Sequence, residues 1–386
     1  RVAMQAPKNG FYYLLDAATG EFISGEAFVP QNWAQGLDVN GRPIEIKEAR
    51  YGETPFMQNP GPLGAHNWQP MAFNPELNLA YIPVQEVPDS YATDRLFETR
   101  IQKWNTGTNL SAGLPVDLDL ATAMALRATL KVRLVACDTI TQSARWSVEH
   151  SNAWNGGVLS TAGGLVFQGR LEGEFAAYNA ATGEKLWHQN VKSGAASGPG
   201  TYKIDGEQYV TITTGWGSAY ALAGGSAYDQ PVPPIVGKVV TFKLGATETI
   251  PDPNLVMAPR TPKAEKFGDP DMIQLGFDQY HFNCRVCHGP LAISSGVLPD
   301  LRWSSITANP DACQAIVIGG SLSGTGLVSF LDALSPPDAE AVGASVINQA
   351  PDGPALAAEV AALMAAEATH AENLAGTPPP EPAGAL

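Results

Sequence analysis

Cys284, Cys287 and His288 stand in the order Cys-x-x-Cys-His, a spacing that attaches a porphyrin to a chain. The two thiols can add to the two vinyl groups of one macrocycle, and the adjacent imidazole of His288 then reaches the iron from the proximal side. The chemistry implied is electron transfer through a covalent haem c, with Cys284 and Cys287 as thioether anchors and His288 as the axial iron ligand. A redox dithiol or half of a zinc site are the other uses of such a pair. Zinc would need a second pair of ligands, and the remaining cysteines, Cys137 and Cys313, each stand alone. A haem of this kind is attached outside the bacterial cytoplasm, so the motif implies an exported, periplasmic protein.

The elements expected to position this motif are helical. Asp269-Pro270 reads as an N-cap followed by a first-turn proline and predicts a helix running into Cys284. Ser335-Pro336-Pro337-Asp338 predicts a second, with Ala339, Val342 and Val346 spaced to face a core. Alanine-rich residues 355–374 predict a third, and Pro378-Pro379-Pro380 opens a tail expected to stay disordered.

Earlier in the chain the pattern is that of strands. Residues 1–225 are rich in Gly, Trp, Tyr and Thr, with short apolar runs such as Leu165-Val166-Phe167 and Tyr209–Thr213. Seven prolines between Pro231 and Pro262 predict extended linker, with Lys238–Phe242 as one strand laid back on the first body. The organisation expected is therefore a β-body at 1–245, a Pro-rich linker at 246–268, a helical body at 269–350 and an Ala-rich helix with a tail at 351–386.

An internal repeat narrows the first body. Asn179-x-x-Thr182-Gly183-Glu184-x-x-Trp187, Asp138-x-x-Thr141 with Trp146, and Asp16-x-x-Thr19-Gly20-Glu21 with Ser24 share one polar core and one offset. The 41 residues from 138 to 179 are the length of a propeller blade. In such a unit the Asp or Asn accepts bonds from the following turn, Thr-Gly supplies tolerance of positive φ, and Trp packs between neighbouring sheets.

With 386 residues two domains are expected, and the net charge of -15 argues against nucleic acid and anionic lipid as partners. No run approaches about 18 apolar residues, so no membrane-spanning helix is predicted. The chain opens Arg1-Val2-Ala3-Met4 with neither an initiator Met nor an apolar leader, and position 1 reads as an internal start.

Several longer stretches carry a family resemblance: Met4-Gln5-Ala6-Pro7-Lys8-Asn9-Gly10-Phe11, Gly64-Ala65-His66-Asn67-Trp68, Trp154-Asn155-Gly156-Gly157, Ser160-Thr161-Ala162-Gly163 and Gly215-Trp216-Gly217. Through them residues 1–245 resemble the second half of the eight-bladed propeller of pyrroloquinoline quinone (PQQ)-dependent alcohol dehydrogenases. Gly296–Arg302 and Val328-Ser329-Phe330 extend the resemblance to the cytochrome c domain of the quinohaemoprotein members. The implied fold is a partial all-β propeller followed by a small all-α cytochrome c domain.

The resemblance makes Lys8 the lysine that reaches the quinone carbonyls, where an ammonium stabilises negative charge as electrons arrive. It makes Asn67 and Trp68 the pair lining the quinone edge, and Ala219 a backbone contact to the same cofactor. By residue type alone, Lys8 is a solvated loop lysine and Asn67-Trp68 a turn amide beside a buried indole. The family's catalytic aspartate, vicinal disulfide and calcium ligands would precede Arg1, so no catalytic residue is assigned and the chain reads as the carboxy-terminal part of a longer enzyme. Such an open half-propeller exposes sheet edges.

Where the family has Gly-Met-Val-Ser-Phe, this chain has Gly326-Leu327-Val328-Ser329-Phe330, and leucine has no donor for iron. The sixth ligand is thus left open. Of the other candidates, Met364 reads as a packing residue, His370 as solvated and Cys313 as a small buried hydrophobe, while His281 precedes the motif.

The activity implied is oxidation of an alcohol to an aldehyde or ketone by PQQ, with electrons passing through haem c to a soluble cytochrome, a copper protein or a membrane quinone-linked subunit. A second reading is a non-catalytic haem c carrier on an incomplete propeller scaffold. Lys8 and Asn67-Trp68 favour the first; Leu327 and the missing half favour the second. A scaffold for outer-membrane assembly shares the repeat but has no use for a haem. Pro88 to Leu134 reads as an insertion between repeat units.

Overall fold

The computed structural model describes residues 1–95, 97–99, 105–109, 112, 129–215, 236–252, 264–294, 298–307 and 309–350. Ala219, with Trp216 and Gly217, lies outside these residues, as do the Ala-rich stretch at 355–374 with Met364 and His370, and the tail.

Strands β1 (Val2–Gln5), β2 (Phe11–Asp16) and β3 (Phe22–Ala27) form a first antiparallel sheet in chain order. Two small ribbons follow: β4 (Ala34–Leu37) with β5 (Pro43–Glu45), and β6 (Phe56–Gln58) with β9 (Asp89–Tyr91). Strands β7 (Ala72–Asn74), β8 (Leu79–Glu86), β10 (Lys131–Asp138) and β11 (Ala144–His150) make the second sheet. The third is β12 (Val158–Ser160), β13 (Leu165–Gly169), β14 (Glu174–Asn179) and β15 (Lys185–Asn190), and the fourth is β16 (Gly200–Ile204), β17 (Glu207–Thr214) and β18 (Lys238–Lys243).

Residue alternation explains why these sheets stack. On β8 and β10 the side chains of Ala80, Ile82, Val84, Val135 and Cys137 point to one face and meet Ala6, Tyr12 and Val29 of the first sheet and its loops. Leu79, Tyr81, Leu134 and Ala136 point to the other face and meet Val166, Ala176 and Tyr178 of the third sheet. Because both faces are covered, all eight residues of β8 are buried. The third sheet repeats the arrangement, setting Phe167, Phe175 and Ala177 against Val210 and Ile212 of the fourth. Each large apolar side chain buried in these seams is worth about 1.5–3 kcal/mol, and no sheet covers both of its own faces.

The three repeat turns are superimposable in their bonding. Asp16, Asp138 and Asn179 each accept, through Oδ1, the amides two and three residues on, at 2.8–3.2 Å. Just before each of them the pairing slips by one residue, at Leu14/Leu15, Ala136/Cys137 and Ala177/Tyr178. The extra residue bends the strand into the turn. Trp146 does pack between sheets: its indole N–H donates to Ala180 O of the third sheet at 3.1 Å.

The stretch read as an insertion differs from expectation at its ends. It contains β9 and the first half of β10, whose Val132 and Leu134 alternate inward and complete the second sheet.

The later residues are helical: α1 (Pro270–Asn283), α2 (Arg285–His288), α3 (Pro310–Val317) and α4 (Pro336–Asn348). Asp269 caps α1 by accepting from Met272 N at 2.8 Å, and Ser335 with Asp338 forms a capping box on α4. Helices α1 and α4 pack through Tyr280, Val342 and Val346, with Ala292 beside them.

Candidate functional site

The loop from Pro60 to Gln69 is the hub of the first site. It runs alongside the segment carrying Lys8, whose carbonyl accepts from Ala65 N at 3.0 Å. Three successive carbonyls of the loop each receive a side chain: Pro62 O from Lys8 Nζ at 3.2 Å, Leu63 O from Asn67 Nδ2 at 2.9 Å and Gly64 O from Gln85 Nε2 at 3.1 Å. Gly64 has φ +79, and a Cβ there would lie 2.5 Å from Lys8 Cβ and Cγ. Only glycine lets the lysine stem lie across the loop.

Buried His66 staples this loop, its ring nitrogens lying 2.6 Å from Ala6 O and 2.7 Å from Gln69 O. Burial lowers its pKa, and the two carbonyls oppose that shift. Gln85 Oε1 accepts from Trp154 N at 3.2 Å, which ties the Trp-Asn-Gly-Gly stretch to the hub. The structure therefore sets Lys8 against the loop that carries Asn67 and Trp68.

The residues fit a planar quinone bearing carbonyls and carboxylates. Trp68, expected to be buried if merely structural, is instead 48% exposed and offers an indole face. Lys8 is exposed and supplies the cation. Gln69 Oε1 is buried with no hydrogen-bond partner among the described residues, at a cavity lined also by Gln85, Arg133, Trp154, Asn155 and Gln168. A buried acceptor without a donor is rare in a folded chain, and this small cavity has the room and the polar lining for an ordered water.

The second site lies on α1 and α2. Cys284 ends α1 and caps α2, so the turn between them fans the motif outward, with Cys284 half-buried and Cys287 exposed. Tyr280, fully buried, fixes the far end by donating to Gly289 O at 2.8 Å. His288 Nδ1 lies 3.3 Å from Pro299 O, a contact that orients the ring and leaves Nε2 as the nitrogen that could ligate a metal. Burial pushes the His288 pKa down, the direction that favours the neutral imidazole a metal ligand needs.

These residues also fit their group. Helix α3 buries none of its residues, and Leu322, Val328 and Leu331 between α3 and α4 are exposed apolar side chains that a macrocycle would cover. Trp303 Nε1 is a buried donor with no partner among the described residues, beneath an Arg302 guanidinium 5.1 Å from its ring. Arg302 is itself held by Asp300 at 2.9 and 3.0 Å. Leu327 is half-buried and supplies no donor. Cys313 is half-buried on α3, with its thiol pKa raised by burial. His281 turns away, its ring bonded to Phe277 O at 2.8 Å. Among the described residues no group of three or more His, Cys, Asp and Glu could hold a metal ion.

Among the described residues an ion pair links the surroundings of the two sites: Arg285 Nη2 lies 3.8 Å from Asp89 Oδ2 on β9. Sequence reading missed Asp89, Gln69 and Gln85. The signal for Gln85 was present, as a polar pair, Gln85-Glu86, ending an otherwise apolar strand.

Residues 48–210 match the family model described as "PQQ: Glucose/ethanol/alcohol dehydrogenase, beta-propeller domain". The chain is 40% identical over 356 residues to quinohemoprotein alcohol dehydrogenase ADH IIB of Pseudomonas putida, covering 90% of this chain and 49% of that protein. It is 38% identical over 359 residues to quinohemoprotein alcohol dehydrogenase of Comamonas testosteroni, covering 90% and 48%. The solved structure of ADHIIG from Pseudomonas putida HK5 superimposes with a TM-score of 0.81 at 37% identity, over 95% of this chain and 53% of that one. The chain thus spans about half the length of the relatives it matches. Residues 48–210 thus carry a PQQ-type β-propeller segment, and over about nine-tenths of its length the chain is similar to quinohemoprotein alcohol dehydrogenases.

Proposed function

We propose that this protein is a periplasmic quinohaemoprotein alcohol dehydrogenase of the cytochrome c type. In the reaction an alcohol loses two electrons and two protons to become an aldehyde or ketone, and the electrons leave singly for an external acceptor. Bound PQQ supplies a two-electron acceptor and haem c a one-electron relay. The observation that carries this reading is the presence, in one chain, of the Lys8 hub and of a Cys-x-x-Cys-His motif whose imidazole is oriented by Pro299.

In this reading Lys8 turns its ammonium from Pro62 O to the quinone carbonyls and stabilises the charge that electrons bring. Asn67 and Trp68 orient the quinone edge, and Ala219 adds a backbone contact. Cys284 and Cys287 anchor the porphyrin and His288 ligates iron through Nε2. Calcium is the third proposed cofactor, and neither its ligands nor the catalytic base is assigned to a described residue. A soluble cytochrome, a copper protein or a membrane quinone-linked subunit is proposed as acceptor.

The test is expression in a host that matures cytochromes c, reconstitution with PQQ and calcium, and addition of an alcohol. The Soret band is expected to shift from the ferric to the ferrous position. Material with no Soret band overturns the haem assignment. A haem that dithionite reduces and no alcohol does overturns the dehydrogenase in favour of a haem c carrier, the reading that Leu327 favours.

A further inference from the structure

Among the described residues, Asp89 touches both the loop that seats Lys8 and the helix that carries the Cys-x-x-Cys-His motif. Gly61 N donates to Val87 O at 2.9 Å, and a Cβ on Gly61 would lie 3.0 Å from both Cβ and N of Asp89. The start of β9 therefore rests directly on Gly61, one residue before the carbonyl that holds Lys8 Nζ. Asp89 Oδ1 accepts from Ser90 N at 2.8 Å, which fixes the carboxylate and leaves Oδ2 facing the Arg285 guanidinium at 3.8 Å. Arg285 is the first residue between the two cysteines, and its side chain is only 19% exposed, against 37% for Asp89.

We propose that Asp89 and Arg285 form a latch that holds the haem-attachment helix against the Lys8 loop. Both are positioning residues for electron transfer within the chain. The inference rests on the proposed function. The step that the latch would serve makes and breaks no heavy-atom bond: bound reduced PQQ would give one electron to ferric iron and a proton to solvent, and the external one-electron acceptor would reoxidise the iron before the second electron passes. What the step requires is a fixed separation, and small misplacements of redox or reacting groups carry large rate penalties. A covalent linker alone does not set that separation. A half-buried ion pair between a fixed carboxylate and the motif itself does.

The test uses the haem-loaded full chain and the variants Asp89→Asn, Asp89→Glu, Arg285→Gln and the double variant Asp89→Asn/Arg285→Gln. Unchanged Soret and far-ultraviolet spectra establish that each is folded and loaded. Amide exchange over residues 284–289 needs no quinone. It is expected to rise about fivefold in each neutral single variant, the change produced by losing about 1 kcal/mol of pairing. The double variant is expected to rise no further, and Asp89→Glu to stay near wild type. Unchanged exchange in Asp89→Asn, or additive rises in the double variant, overturns the latch. The second readout is haem reduction after alcohol, followed by stopped flow. It is expected to slow in Asp89→Asn while reduction of a dye that takes electrons directly from the quinone is unaltered. Faster exchange with unslowed haem reduction overturns the positioning role. A wild-type haem that alcohol fails to reduce overturns the proposed function instead, and the exchange result then decides the latch alone.

Discussion

Gln142 Nε2 donates to the Tyr12 carbonyl at 2.8 Å, joining two sheets across 130 residues of chain. Gln142 stands four residues after Asp138, where the other two repeat units place Gly20 and Gly183 after Asp16 and Asn179. All three are left-handed, with φ of 51 for the glutamine and 76 for each glycine. A side chain at this backbone angle costs roughly 1 kcal/mol. The buried amide offsets that cost by tying the turn of the second sheet to the first.

Gln142→Ala keeps the strained backbone and loses the tie. It is expected to lower the stability of the β-body by about 1–3 kcal/mol. Gln142→Gly relieves the angle and should lose less, so denaturant midpoints are expected in the order wild type, glycine, alanine. An alanine variant as stable as wild type refutes the role given to the hydrogen bond.

Gly64→Ala places a methyl against the Lys8 stem, at a φ of +79 that alanine resists. The loop must shift and displace the Lys8 stem, and the cost is expected to be about 1–3 kcal/mol. Quinone titration by fluorescence quenching should show weaker binding, by about tenfold or more. Lys8→Ala should weaken binding without the loss of stability, and a Gly64→Ala protein that binds as tightly as wild type contradicts the seating of Lys8 by this loop.

The repeat turns were legible in the sequence because their bonds are local: Asp16, Asp138 and Asn179 cap amides two and three residues away. The helix start was legible for the same reason, since Asp269 caps an amide three residues on. The resemblance marked Lys8, Asn67 and Trp68, but not what seats them. That work falls to carbonyls of Pro62, Leu63 and Gly64, and a backbone atom leaves no trace in residue type. Asp89 was hidden within a stretch read as an insertion, and its pairing with Arg285 spans nearly 200 residues. Nothing in a lone aspartate distinguishes a distant ion pair from a solvated charge.

His281 gives the helical body a pH dependence. It is almost wholly buried, and burial brings its pKa down to about 4, opposed by the Phe277 carbonyl. In the unfolded chain its pKa is about 6.5. Above that value neither state is protonated and the folded state keeps its full advantage. As pH falls from about 6.5 to about 4 the unfolded state takes up the proton first, and stability on the order of 3 kcal/mol is lost. Acid titration of unfolding, followed at the Soret band, should show this loss, and His281→Asn should flatten the curve in the same window. A curve of identical slope in the variant removes His281 as the source.

Leu327→Met puts a thioether where the resemblance places the sixth iron ligand. Leu327 follows Gly326, whose φ of 103 turns the chain, and its half-buried side chain occupies the segment between α3 and α4. A thioether is a neutral, soft and weak donor that stabilises ferrous iron more than ferric iron, so it raises the haem potential. The rise is expected to be on the order of 0.1 V, a modest part of the roughly 0.8 V that axial ligands command. Potentiometric titration reads that shift directly. Carbon monoxide should bind the ferrous wild type readily and the variant poorly, because the methionine fills the position that leucine leaves open. A variant with wild-type potential and wild-type carbon monoxide binding means that residue 327 does not face the iron, and that the sixth position is governed by another part of the chain.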